Sequence, residues 1–407
     1  MDKRASNASI PLDLLLTLSI VAKMKIKLST TDIPFAITDS ETLSELGWNM
    51  YASDEDLEKG FLTEGVIRNL VDKYEESELI DYYNKYIRGN IIPVLEIRPT
   101  IHILDCSKVT VNLDNENYEE SEVININGKV YRGYKLGTLR GLLDDGGIIE
   151  EVVFGSIKTH DLELTRKMIL DSKILKSGDI LIEDRGFISR ESLNKLKKDK
   201  GVDVFIPAKS NMDIYKEAVS IAKLENKWQA HPNKRRKTQK IQLVKSLGSF
   251  WIEEKGENVE LNGCVVYDYS KEKYFVFLTT DLEKTAKEII RTYELRPEIE
   301  EDYRQIKDFW KIEDFKSTQY KMIIFHIVMT LIGYLYFQLF KNMEEGAKYS
   351  GKSLPIIMKN FRKKGSKKII IYVGEYFGIF KFIDFLDIYS SCNEKIKLKL
   401  RKILELV

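Results

Sequence analysis

One short stretch holds residues of the right types, at the right spacing, for phosphate chemistry. "YELRPEIEEDYRQIK" contains Tyr293, Arg296, Glu300 and Lys307, at offsets of three, seven and fourteen from the tyrosine. On an ideal helix, turning about 100° per residue, those offsets return to within roughly 60° of one another, so the four could share one stripe. A carboxylate flanked by Arg and Lys, with a tyrosine nearby, suits a metal-bound phosphate whose neighbouring phosphates need cations. The competing reading is a solvated helix face carrying i,i+4 pairs such as Arg296 with Glu300. Pro297 fits best in the first turn of a new helix, which would leave Tyr293 at the end of the preceding one.

Two aspartates stand where they could complete such a site. Asp105 closes the apolar part of "IHILD", and Asp184 closes "ILIED", followed by "RGF". Carboxylates at strand ends project into the cleft where open α/β sheets bind ligands. With Glu300 they could hold two hard cations, water filling the remaining positions. Two metals about 4 Å apart activate a water and stabilise the leaving oxygen in phosphodiester displacement. Against this, Asp commonly starts turns and caps helices. The chain also has 63 acidic residues, so three in a plausible order weigh little alone. Strand alternation should turn Glu183, beside Asp184, and Cys106, beside Asp105, to the opposite face.

The elements that must position these residues can be read from periodicity. Residues 1–95 read as helical, ending at Gly89, with Ser/Thr/Asp starts in "TDIP" and "TDSETLSELGW". The period then changes to two. "TIHILDCSKVTVNL", "YRGYKLGTLRGLL" and "GGIIEEVVFGSI" form a meander, the last after a DDGG turn. A helix over 161–173, the buried strand "GDILIED", the helix "SRESLNKLKKDK" and the strand "VDVFIPAK" follow. A meander followed by alternating strand and helix implies a mixed α/β sheet. The polar, basic stretch over 209–280, with "SFWIEE", "GCVVYDYS" and "YFVFLTT", reads as a β-rich insertion. Helical pattern resumes over 281–345 and continues over 346–407.

Composition sets the class. With 43% hydrophobic and 31% charged residues, the chain is globular and neither disordered nor collagen-like. A net charge of +1 excludes a dedicated nucleic-acid coat, so contact with a polyanion must rest on local patches. Cys106, Cys264 and Cys392 lie far apart, which argues against a disulfide framework or zinc ribbon and for a reducing cytoplasm. Four scattered histidines make a histidine-rich metal site a poor reading. Asp13 interrupts the first apolar stretch, so a signal peptide is not expected. "MIIFHIVMTLIGYLYFQLF" is near the length of a membrane span, but its His326, Thr330, Gly333 and Gln338 favour a buried core helix and no membrane partner.

The stretch from Tyr293 to Lys307 resembles the YREK signature of a large family of bacterial insertion-sequence DDE transposases: Tyr, two residues, Arg, three residues, Glu, six residues, Lys. Other pieces fall in family order. "LDCSKVTV" resembles the family's first-aspartate strand, "RGYKLGTLRGLLDDGG" its second strand and turn, "GSIKTHDLELTRKMI" the segment before the next helix, and "LIEDRGF" its second-aspartate motif. The long gap before Glu300 matches the family's β insertion. The resemblance covers roughly residues 95 to 340 and departs at Pro297, where the family commonly has an aromatic residue. It implies an RNase H-like core in two parts (96–208 and 281–345) around the insertion, with Asp105, Asp184 and Glu300 as ligands of two Mg2+ ions that Mn2+ could replace. The implied reaction is hydrolytic nicking at element ends, then attack of the freed 3′-hydroxyl on target DNA, by a homodimer in the end complex. Tyr293, Arg296 and Lys307 would contact phosphates near the cut.

Further candidates stand beside simpler readings. Lys234, Arg235, Arg236, Lys237 and Lys240 of "NKRRKTQK" could bind DNA or form a solvated loop. Trp228 and Trp251 flank it and could stack on an unpaired base, or pack in a core. "KNFRKKGSKK", over 359–368, carries six basic residues and could meet target DNA. Arg185 could neutralise a phosphate or pair with an acid. Asp161 is expected to cap its helix, and His326 to be a satisfied core residue. The rival functions are a catalytically silent relative retained for DNA binding or regulation, and a metal nuclease that does not join strands.

Overall fold

The computed structural model describes residues 2–4, 10–36, 64–95, 98–143, 146–247, 258–342, 352, 354–364, 370–373 and 376–379. Helices come first: α1 (Leu12–Met24), α2 (Glu64–Asp72) and α3 (Glu76–Tyr86). Leu14, Leu15 and Leu18 of α1, Ile67 and Leu70 of α2 and Tyr83 of α3 all enter one core. Burying one apolar face against neighbours, more than intrinsic propensity, is what holds helices this short.

The period then drops to two, as expected. β1 (Ile101–Val111), β3 (Lys129–Leu143) and β4 (Gly146–Ser156) form the meander. A strand not anticipated, β2 (Glu122–Ile126), hairpins onto the start of β3. Its turn is Asn127-Gly128, both at positive φ, the combination that a tight two-residue hairpin requires. α4 (Asp161–Asp171), β5 (Ile180–Glu183), α5 (Arg190–Lys200) and β6 (Asp203–Pro207) follow. α5 has clear limits: the Ser189 side chain accepts from the Ser192 N–H, and Gly201 ends the helix in the left-handed region at φ 69°. Gly137 on β3 admits α4, since a Cβ there would lie 2.7 Å from Thr165 Cγ2.

β1 runs antiparallel to β3 and parallel to β5, which is parallel to β6. Three antiparallel strands continued by two parallel ones make an RNase H-like core. The stretch read as β-rich opens instead with a helix, α6 (Asp213–Glu225), whose Ile214, Ala218 and Ala222 are buried at a four-residue spacing. β7 (Gln229–Ala230), β8 (Gln239–Val244), β9 (Asn262–Asp268) and β10 (Lys273–Thr279) then follow. β10 pairs antiparallel with β6, so the insertion extends the core sheet into one of ten strands.

Beyond it lie α7 (Ala286–Tyr293), α8 (Pro297–Asp308) and α9 (Tyr320–Asn342). α9 is long and apolar enough to cross a membrane, but the qualifying window is wholly buried within the protein. It packs against α1 and α3, and its core joins theirs to one face of the meander. α10 (Leu354–Lys364) follows, and within the stretch read as helical β11 (Ile370–Val373) and β12 (Tyr376–Ile379) pair antiparallel.

Alternation gives the sheet two faces. Leu104, Leu181, Val204 and Ile206 face α4, α5 and α6. Ile103, Ile182 and Phe205 face α7 and α8, with Ile289, Ile290, Ile299 and Tyr303.

Candidate active site

Asp105 follows Ile103 by two residues and Asp184 follows Ile182 by two. Both therefore turn to the face that α8 covers. The parallel register aligns Leu104 with Glu183, so the next positions lie level: Asp105, which is mid-strand because β1 continues to Val111 instead of ending there as expected, and Asp184, the first residue past β5. Asp184 also starts a short turn over Arg185–Phe187, where its Oδ1 accepts from the Arg185 N–H at 2.7 Å. Glu183 is turned inward, and burial pushes its carboxyl up to about 8, so it stays neutral beside the cluster. Cys106 likewise leaves Asp105's face and packs with the opposite core.

The opening stretch is not one helix. α7 ends at Tyr293, three turn residues intervene, and Pro297 begins α8 at its first position. Arg296 thus sits at the N-cap of α8, where its side chain swings across the middle of β1 and the end of β5. One Nη lies 2.5 Å from Glu300 Oε1. The other lies 3.2 Å from Asp105 Oδ2 and 3.6 Å from Asp184 Oδ2. The i,i+4 pair exists, yet the same guanidinium also gathers two carboxylates from the sheet, which a solvated face would not do.

Burial pushes the Asp105 carboxyl up to about 6. Asp184 and Glu300 add to that, while Arg296 and the Cys106 N–H oppose it. Tyr293 is pushed up to about 12, first by burial, against Arg296, and then by the three nearby carboxylates. Its ring packs on Phe277 at 4.7 Å. Arg296 is held above its ordinary value because Asp105 and Asp184 outweigh the effect of burial.

Lys307 turns toward β1: its ammonium donates to the Lys108 carbonyl at 2.5 Å and pairs with Glu313 at 3.2 Å. Lys234, Arg235, Arg236, Lys237 and Lys240 are all exposed, as is Arg185. Arg236 pairs with Glu294 at 3.0 Å. Asn233, Arg236, Gln239, Phe277, Tyr293 and Arg296 help line a cleft of about 580 Å³ beside the cluster. Trp228 packs with Tyr267 and Tyr274 of the insertion. Trp251 lies outside the described residues, as does the end of the 359–368 basic run.

Two expectations need correcting. His160, not Asp161, caps α4, accepting from the Leu162 N–H at 3.3 Å. Asp161 is the first helical residue and pairs with Lys135 at 2.7 Å. His326 is buried against Phe315, but its Nε2 has no partner among the described residues.

The sequence reading missed the supports. The Tyr303 hydroxyl donates to the Asp105 carbonyl at 2.9 Å and accepts from Thr138, 2.6 Å away, clamping α8 onto β1 at the aspartate. Asp302 is buried, bonded to Arg140, Tyr334 and Gln338. A carboxylate between Ile299 and Ile306 on the apolar side of α8 was the available signal, since a buried charge requires partners.

All three clustered carboxylates are hard oxygen donors, the set a Mg2+-type cation takes. Among the described residues no three acidic, His or Cys side chains converge closely enough to hold an ion. The guanidinium stands between these three. In donor chemistry they fit; in present spacing they enclose a cation of the protein's own.

An RNase H-like sheet with acidic side chains on the face that α8 covers defines a class of nucleic-acid-processing proteins. Residues 103–336 match the model of the transposase DDE domain, and the chain belongs to that family. DNA is thereby the partner in general terms, and proteins with this domain generally use divalent metals. Comparison with curated proteins gave no significant match.

Proposed function

We propose that this protein is a transposase of the subgroup bearing the Tyr-Arg-Glu-Lys signature. It would cut DNA at the ends of its element and join the freed 3′-hydroxyl to target DNA. The supporting observation is the gathering of Asp105 from the middle of β1, Asp184 from the end of β5 and Glu300 from α8 around the Arg296 guanidinium. Asp105, Asp184 and Glu300 would hold two Mg2+ ions, with Mn2+ able to substitute. Bound there, such ions supply an activated water and neutralise charge at the phosphodiester.

The chain's own groups do the positioning. Arg296 offers a planar fork that can grip a phosphate through two N–H donors. Tyr293 keeps its proton at neutral pH, so its hydroxyl remains a donor to a phosphate oxygen. Arg185 adjoins Asp184, Lys307 would have to leave the Lys108 carbonyl and Glu313 to reach a phosphate, and the exposed Lys234–Lys237 run would track the backbone of DNA entering the adjacent cleft. The helical region over 1–95 is the candidate for end recognition, acting in a homodimer within the cytoplasm.

The test is a joining assay with a pre-cut end of the DNA flanking this gene, in Mn2+. Joined product from wild type, absent with Glu300→Gln, supports strand transfer. Nicking without joining would identify a nuclease. DNA binding with neither activity would identify a silent relative.

A further inference from the structure

Arg296 makes one set of contacts in the free protein and, on the reading above, another in the DNA complex. In the free protein its two Nη atoms engage Glu300, Asp105 and Asp184 at 2.5, 3.2 and 3.6 Å. Its Nε–H is buried without a partner among the described residues, so the fork is not fully satisfied there. Arg296 also borders the cleft beside the cluster, giving the guanidinium a place to go without unfolding α8. Its position between the end of α7 and Pro297 leaves the side chain on a junction outside a helix interior.

We propose that Arg296 is a resident counter-ion that competes with divalent metal for the three carboxylates, and that a DNA phosphate releases it. The inference rests on the assignment of these carboxylates as metal ligands. One guanidinium cannot lie between the carboxylates and leave them free to close on an ion. A phosphate presented in the cleft offers the fork a better-matched bidentate acceptor. As it turns outward, the carboxylates lose their cation and gain affinity for metal. Metal and DNA therefore bind with positive coupling, each raising the affinity for the other by the same factor. Free protein would be kept from loading metal, and so from cutting, until DNA is in place.

The test is Mn2+ binding to DNA-free protein, followed by electron paramagnetic resonance, for wild type, Arg296→Gln and Asp105→Asn. Arg296→Gln is expected to bind Mn2+ about tenfold more tightly than wild type. Non-cleavable end DNA should tighten Mn2+ binding by wild type and leave Arg296→Gln nearly unchanged. Equal Mn2+ affinity of wild type and Arg296→Gln, with Asp105→Asn weaker than both, would overturn the competition and leave the metal site standing. No Mn2+ binding by a folded Arg296→Gln would overturn both. Should Arg296→Gln fail to fold, Arg296→Met removes the charge while keeping an unbranched apolar stem. Tighter Mn2+ binding by that variant supports the competition, and unchanged binding overturns it.

Discussion

Asp105 is fixed from two directions. Arg296 and the Cys106 N–H hold its carboxylate, while the Tyr303 hydroxyl holds its carbonyl and thereby ties the strand to the Glu300 helix. Tyr303→Phe keeps the ring but leaves the carbonyl and the Thr138 hydroxyl with one partner fewer. The expected cost is about 1–2 kcal/mol in denaturant unfolding, with slower cutting at unchanged DNA affinity. Unchanged stability and cutting would show that the clamp does not position Asp105. At this scale the clustering of Asp105, Asp184, Arg296 and Glu300 was legible because their types and order are unusual together. Tyr303 and Asp302 were not, because their significance depends on Thr138 and Arg140, remote in sequence and brought near only by the fold.

Among the elements, β1 carries Asp105 and β5 leads into Asp184, and a buried polar network joins the two strands near their starts. His102 lies 2.6 Å from Glu150 of β4 and 3.3 Å from Asp179, just before β5, and Arg98 grips Asp179 through two bonds. Burial disfavours the His102 imidazolium, but Glu150 and Asp179 outweigh it and push the group up to about 9. Burial likewise opposes ionised Asp179, yet His102, Arg98 and the Lys176 N–H hold it down at about 2. A folded value above the ordinary 6.5 means that the histidine's stabilisation is complete below that pH and is lost as pH rises through about 9. Wild type should exceed His102→Gln in unfolding free energy at pH 6.5, and the gap should shrink by on the order of 2 kcal/mol by pH 9.5. A gap constant with pH would show that the histidine is neutral throughout. Element boundaries near the site were legible from local signals: Pro297 marked the break between α7 and α8, and the change to period two marked β1. α6 was hidden by its polar surroundings, although Ile214, Ala218 and Ala222 carry a helical spacing. β2 was hidden by its shortness, although Asn127-Gly128 announced its turn.

Across the whole molecule, one sheet links the cluster to the insertion. β6 pairs with β5 on one side and β10 on the other, so the exposed basic loop between β7 and β8 projects from the same sheet that holds the two aspartates. The stretch over 209–280 stood out as a change in composition. Its joining to the core sheet was not legible, because pairing of Ile206 with Leu278 depends on a long-range register with no local sequence pattern. The buried character of α9 was legible from the polar residues within its apolar run. Those relations matter only if the three carboxylates act as one site. That is best measured by nicking of a plasmid bearing the element's ends, in Mn2+, by wild type, Asp105→Asn, Asp184→Asn and Glu300→Gln, with DNA binding followed in parallel. Each variant should keep DNA binding and lose cutting by roughly a thousandfold, as expected when a metal ligand worth several kcal/mol is removed. Cutting at the wild-type rate by any folded variant would remove that residue from the site and contradict the account.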